Sequence, residues 1–133
     1  MNYAFDTNIV IHLMIGTESV RRNRDNARSI GAAFYVPPFV QYEIERGLLI
    51  KPSPKNERAY ARLLENCDLG GMTVGTWKRA AEIFADLYAK RLTVRDSDIL
   101  IAAFCIMNDC TLITNNTKDY VNINGLNIVD WVT

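Results

Sequence analysis

Apolar residues along this chain change spacing again and again. Short solid runs give way to stretches in which they recur every three or four positions. Tyr3-Ala4-Phe5 is a run that stops at Asp6, and Ile9 through Met14 then follow as a helical stretch before Gly16. The pattern predicts a strand over about residues 2–6 and a helix capped by Thr7 or Asn8. A polar, arginine-rich helix from about Ser19 to Ile30 is closed by Gly31. Ala33–Val36 reads as a second strand, stopped by Pro37-Pro38, with Pro38 suited to a first helical turn. Val40, Ile44 and Leu48 then place an apolar stripe on a helix from Phe39 to about Ile50.

Beyond Pro52 and Pro54 a helix is predicted over about residues 56–66, and Gly70-Gly71 marks a turn. Met72-Thr73-Val74 reads as a marginal third strand. Trp77, Ala80, Ala81, Phe84, Leu87 and Tyr88 keep helical spacing from Thr76 to about Arg91, and Trp77, Phe84 and Tyr88 read as core. Ile99 to Met107 is apolar on every side, the mark of a helix in the middle of a domain. Thr111–Thr114 and Leu126–Val129 are the last two strands, and Asp130-Trp131 closes the chain. Short apolar strands alternating with helices predict a mostly parallel sheet covered on both faces, an α/β/α sandwich.

The 133 residues, 49% hydrophobic and 23% charged, suit one globular domain over residues 1–133. No apolar run is long enough to span a bilayer and no leader pattern opens the chain, so a cytoplasmic protein with no membrane role is expected. Three cysteines without a paired motif and a single histidine argue against zinc and for reduced structural thiols. Net charge is zero, so any grip on nucleic acid must be local. Arg21, Arg22, Arg24 and Arg28 form one candidate patch, and Lys90, Arg91 and Arg95 another. Each patch equally suits an ordinary solvated helix face.

Candidate chemistry lies with the acids. Asp6, Glu43, Asp98, and Asn116 or Asp119 each sit beside a strand-to-helix junction or a helix start. Each has a plain structural reading. Asp6 suits a helix cap, Glu43 answers a helix dipole, Asp96 or Asp98 caps the buried helix, and Asn115, Asn116 or Asp119 makes a turn. A cap, however, needs one acid per helix, whereas here several acids occupy the entry rim of their own units. In a right-handed parallel layout those rims coincide. Carboxylates gathered there repel one another, and a hard cation such as Mg²⁺ or Mn²⁺ resolves the conflict. Such a site activates water against a phosphodiester. Thr7, Asn8, Thr114 and Asn115 are placed to orient the acids and waters.

Asp6-Thr7-Asn8-Ile9-Val10, Tyr42-Glu43-Ile44-Glu45-Arg46-Gly47, Asp98-Ile99-Leu100-Ile101-Ala102-Ala103 and Thr114-Asn115-Asn116-Thr117-Lys118-Asp119-Tyr120, followed by Asp130-Trp131, resemble the PIN domain, and in particular the VapC-type toxins of toxin–antitoxin pairs. The blocks stand in the family's order across nearly the whole chain. The resemblance implies a five-stranded parallel sheet with helices on both sides and Mg²⁺- or Mn²⁺-dependent cleavage of RNA. It makes Asp6, Glu43 and Asp98 acidic ligands, ranks Glu45 below Glu43, and leaves Asp96 in support. The fourth acid departs from many relatives, which carry Asp where this chain has Asn116; Asp119, three residues on, is the charged alternative. The family also implies a homodimer and a small antitoxin that blocks the acidic pocket with a basic side chain. The helices over 39–50 and 56–66, with Ile44, Leu48, Leu63 and Leu64, suit either contact or plain core packing.

Other classes fit less well. A PIN-like module that binds RNA or protein but has lost cleavage is the alternative, motivated by Asn116 and the absent basic surplus. A receiver domain wants paired acids after the first strand, and Asp6 stands alone. A phosphatase wants a second Asp where Asn8 stands. His12, on an apolar helical face, reads as a packed side chain, which removes triad chemistry. No glycine-rich phosphate loop precedes any helix.

Overall fold

Five short strands, alternating with helices, build one parallel sheet in the computed structural model, which describes Met1–Thr133. The elements run β1 (Asn2–Phe5), α1 (Thr7–Ile15), α2 (Glu18–Ser29), β2 (Ala33–Val36), α3 (Pro38–Ile50) and α4 (Pro54–Leu64). They continue β3 (Asp68–Leu69), α5 (Val74–Ala89), α6 (Asp96–Met107), β4 (Cys110–Ile113) and β5 (Ile128–Val129). A single 3₁₀ turn, Thr117–Asp119, lies between the last two strands.

Strand order is β3-β2-β1-β4-β5, every pair parallel. The chain moves from β1 outward to β2 and β3, then returns past β1 to β4 and β5. Right-handed crossovers carry the β1–β2 and β2–β3 connections over one face and the β3–β4 connection over the other, and α3 also packs against α6. The reversal makes β1 and β4 neighbours at the switch point, where an open crevice is left at the strands' carboxyl ends. Their register pairs Phe5 with Ile113, so Asp6 and Thr114 are the next residues out on each strand.

Ala4, Phe5, Leu112 and Ile113 are fully buried between the layers, together with Ile9, Val10, Ala102, Ala103 and Cys105. α6 is buried along most of its length, as its all-round apolar sequence predicts. No helix is long and apolar enough to cross a membrane. All three cysteines are free, and burial pushes the Cys67 and Cys110 thiols up to about 11.

Several boundaries differ from those the pattern predicts. The third strand is Asp68–Leu69, not Met72–Val74; Thr73 instead caps α5, its hydroxyl accepting from the Thr76 N–H at 3.1 Å. Gly70 belongs to this edge because a Cβ there would stand 2.5 Å from the Phe104 ring. α1 is capped by Asp6, not by Thr7 or Asn8. α6 has Arg95 at its cap position, so Asp96 and Asp98 are first-turn residues and neither is the cap. The largest difference lies on α5. Trp77, Phe84 and Tyr88 are 54%, 50% and 75% exposed, so they are surface, and Ala80, Ile83 and Leu87 form the buried stripe. Helical spacing identifies both faces of α5 as apolar, and spacing alone does not say which one packs on α6 and the core.

Candidate metal centre

Asp6 is set by the end of β1. Its backbone N–H still donates to the Ile113 carbonyl at 3.0 Å, and its carbonyl already accepts from α1. The side chain is thereby fixed at the switch-point crevice, only 6% exposed. One carboxylate oxygen accepts from the Thr7 N–H at 2.7 Å and the other from the Thr114 hydroxyl at 2.8 Å. Burial pushes the Asp6 carboxyl above the usual range, with Glu43 adding to the rise, while donors from Thr114, Thr7 and Tyr120 oppose it. No cation pairs with Asp6; the ion pairs of this region go to Glu43, Asp98 and Asp119.

Glu43 reaches the crevice from α3. Its Oε1 accepts from the Thr7 hydroxyl at 2.6 Å, and its Oε2 lies 3.6 Å from the Arg46 guanidinium. Asp98 is buried in the first turn of α6, where one oxygen accepts from the Tyr120 hydroxyl at 3.2 Å and the other faces Arg95 at 3.7 Å. Desolvation raises its pKa; Tyr120 and Arg95 lower it, and the charges of Asp6 and Asp119 raise it further. Asp119 stands on the 3₁₀ turn, 4.0 Å from Arg95. Asn116 spends its backbone N–H on the Thr114 hydroxyl at 3.0 Å, which pins the turn to Asp6 through one intermediary.

Elements far apart in sequence thus bring Glu43 into the field of Asp6, and Asp6 and Asp119 into that of Asp98. Thr7 ties Asp6 to Glu43, and Thr114 ties Asp6 to the backbone of Asn116. Asn8, Asp96, Asn115 and Glu45 are exposed, and the acids' hydrogen bonds go to Thr7, Thr114 and Tyr120 instead. Tyr120, 1% exposed at the centre of the site, escapes a search for acids because its role comes from a hydroxyl on an apolar body. The signal for it is the aromatic directly after Asp119.

The donor set is wholly hard oxygen, which suits Mg²⁺ or Mn²⁺ far better than zinc. A buried carboxylate without a cationic partner is the feature such an ion satisfies. No group of three acidic, histidine or cysteine side chains is drawn together tightly enough to form a ready cage. The arrangement is therefore an open rim, compatible with an ion that keeps several of its waters.

The model of the PIN domain matches residues 3–124. The chain belongs to the PIN domain family. Ribonuclease VapC1 of Rickettsia felis is 29% identical, across 97% of this chain and 96% of its own length. Among solved structures, VapBC2 from Rickettsia felis bound to a DNA fragment from its promoter superposes with a TM-score of 0.91 at 23% identity, covering 98% of this chain and 99% of that one. VapBC-1 from nontypeable Haemophilus influenzae gives 0.87 at 22% identity, with both chains covered in full. The parallel sheet and six helices of this PIN domain are those of the VapC fold.

Proposed function

We propose that this PIN domain, working as one unit over residues 1–133, is a divalent-metal-dependent endoribonuclease and the toxin of a toxin–antitoxin pair. The observation that carries the reading is Asp6: buried at the switch point, held by two donors, unpaired by any cation, and in the field of Glu43. The relative named as a ribonuclease, aligned over nearly the whole chain, supports the same chemistry.

Asp6 and Asp98 would hold the ion, with Glu43 behind Thr7 and with Asp119, ahead of Asn116, as the fourth contributor. Bound Mg²⁺ or Mn²⁺ supplies an activated water and neutralises charge at the phosphodiester. The chain's own residues do the positioning. Thr7 and Thr114 fix the plane of the Asp6 carboxylate, and Tyr120 holds one oxygen of Asp98 inward so that the other faces the opening. Thr7 also fixes Glu43 relative to Asp6.

An antitoxin segment has a place to lie. A groove of about 290 Å³ between α1 and α3 is walled by Ile11, Met14, Ile15, Ile44 and Leu48 and ends at Thr7 and Glu43. A partner whose apolar side chains fill this groove brings a basic residue onto the acidic rim. Leu63 is core and Leu64 half-buried, and neither lines the groove, whereas Ile44 and Leu48 do. The exposed aromatic face of α5 is the surface we assign to a homodimer.

RNA cleavage by the wild type, by Asp6→Asn and by Asp98→Asn tests the reading. Each variant is expected to fold and to lose activity by about two orders of magnitude or more, a ligand being worth at least as much as the groups that orient it. Full activity in EDTA, or wild-type activity in both variants, refutes it. A module that binds RNA without cleaving is the second reading, motivated by Asn116 in place of an acid and by the absent basic surplus. Calorimetry with Mn²⁺ separates the two, because that reading expects no tight uptake.

A further inference from the structure

Arg95 is the one residue of the site placed where two acids and an open cleft meet. It occupies the cap position of α6 with extended backbone and makes no capping bond, so its side chain is free to turn outward. Its Nε lies 3.7 Å from Asp98 and its Nη2 4.0 Å from Asp119. Both separations exceed hydrogen-bond length, and the side chain is 77% exposed. Charge alone holds Arg95 against these carboxylates, and charge alone is readily exchanged. A guanidinium has five donors in a planar fork, a shape that matches two phosphate oxygens.

The space beside it is suited to such a partner. A cleft of about 190 Å³ is lined by Arg95, Lys118 and Asn122 together with Asp98 and Asp119, and backed by Leu92 to Val94. Two cations and an amide therefore surround an opening whose inner wall is two acids of the candidate metal centre. In a protein of zero net charge, a cation-attracting floor under an anion-attracting rim is an arrangement for a phosphate shared between them.

We propose that Arg95 is an exchangeable counter-ion which, with Lys118, forms a phosphate-binding subsite for the RNA strand next to the scissile bond. It neutralises Asp98 and Asp119 until a divalent cation takes over that task, and then turns its fork to the RNA phosphate. The ligand class is a single-stranded RNA backbone, and the inference rests on the ribonuclease reading above. No covalent step is assigned to Arg95; it positions substrate.

The test uses the full chain with Arg95→Gln, Arg95→Lys and Lys118→Gln. Fluorescence anisotropy with a short single-stranded RNA, in Ca²⁺ to hold cleavage off, reads binding against salt. Mn²⁺ calorimetry without RNA reads the counter-ion role. Arg95→Gln is expected to weaken RNA binding about tenfold and to lower the log–log salt slope by about 0.7. It is also expected to bind Mn²⁺ more tightly than wild type, since a competing charge is gone. Arg95→Lys should keep the salt slope but lose affinity with the fork. Unchanged RNA affinity and slope in Arg95→Gln overturn the subsite, as does a wild type that binds no RNA. Unchanged Mn²⁺ affinity overturns the counter-ion role. Wild type that binds RNA through Arg95 without ever cleaving it leaves the subsite standing and removes the nuclease. Cleavage with no dependence on Arg95 does the reverse.

Discussion

The Thr114 hydroxyl donates to the buried Asp6 carboxylate at 2.8 Å, joining residues 108 positions apart in the chain. The bond ties the carboxyl ends of β1 and β4 together at the edge of the crevice, and the same oxygen accepts the Asn116 N–H. Thr114→Val keeps the side-chain shape and removes both interactions. A freed Asp6 carboxylate and an unsatisfied Asn116 N–H should together cost about 1–3 kcal/mol. Metal affinity or activity should fall about 10- to 100-fold, the usual effect of an orienting partner. Thr114→Ser retains the hydroxyl and should stay close to wild type. Denaturant midpoints and Mn²⁺ calorimetry on the three proteins check this.

Burial raises the pKa of both Asp6 and Asp98, so the folded protein holds these protons more tightly than the unfolded chain. Their contribution to stability is fully present below the ordinary carboxylate range and is lost as pH rises through the raised values. Above those raised values the metal-free protein carries two poorly solvated charges. Asp6→Asn has no proton to release there. In EDTA its Tm should exceed that of the wild type at neutral pH, with the difference shrinking as pH falls. Mn²⁺ should raise the wild-type Tm at neutral pH and leave the variant almost unmoved. Melting curves across pH, with and without Mn²⁺, read both effects, and a wild-type advantage in EDTA at neutral pH would count against the buried-charge account.

Much of the site frame was legible because it depends on local sequence. An apolar run ending in an acid, followed at once by a helix, places Asp6 at a strand's carboxyl end whatever the rest of the chain does. Asp98 is similarly placed by an apolar helix that can only be central. Tertiary relations were not legible in this way. The third strand has two residues and pairs only with β2, so its position follows from the edge it joins and not from its own propensity. Thr7 meets Glu43 only because α1 and α3 pack together, and 36 residues of spacing conceal it. On α5, apolar residues occupy two faces. Periodicity finds the helix without choosing which face is core.

Tyr120 donates to Asp98 and also favours the charged form of Asp6, while being almost wholly buried itself. Burial and the adjacent carboxylates push its phenol far above the ordinary range, so it is a donor at every working pH. Tyr120→Phe preserves the ring and deletes the donor. Asp98, already raised by desolvation, should then rise further, because a group favouring its charged form is gone. If catalysis needs ionised Asp98, the acidic limb of the pH–rate profile moves to higher pH. At high pH, where Asp98 is ionised in both proteins, the rates should converge. A pH profile of RNA cleavage distinguishes this from a loss of packing, which lowers the rate equally at every pH.

Phe84 and Tyr88 stack with ring centroids 6.1 Å apart on the outer face of α5, in line with Trp77 toward the helix start. Three aromatics at least half exposed on one helix form an apolar surface of the kind that marks a contact face. Phe84 borders a cleft of about 130 Å³ with Leu87, Leu92 and Val94, so a matching side chain has somewhere to enter. If a second copy covers this face, Phe84→Glu puts one charge from each protomer into the contact. The variant should sediment as a monomer where the wild type sediments as a dimer. Its unfolding free energy as a monomer should change by no more than about 0.5 kcal/mol, since an exposed position loses little packing. Sedimentation velocity over a range of concentrations measures the assembly. A wild type that remains monomeric throughout removes the dimer, whereas a dimer that survives Phe84→Glu moves the contact to another face.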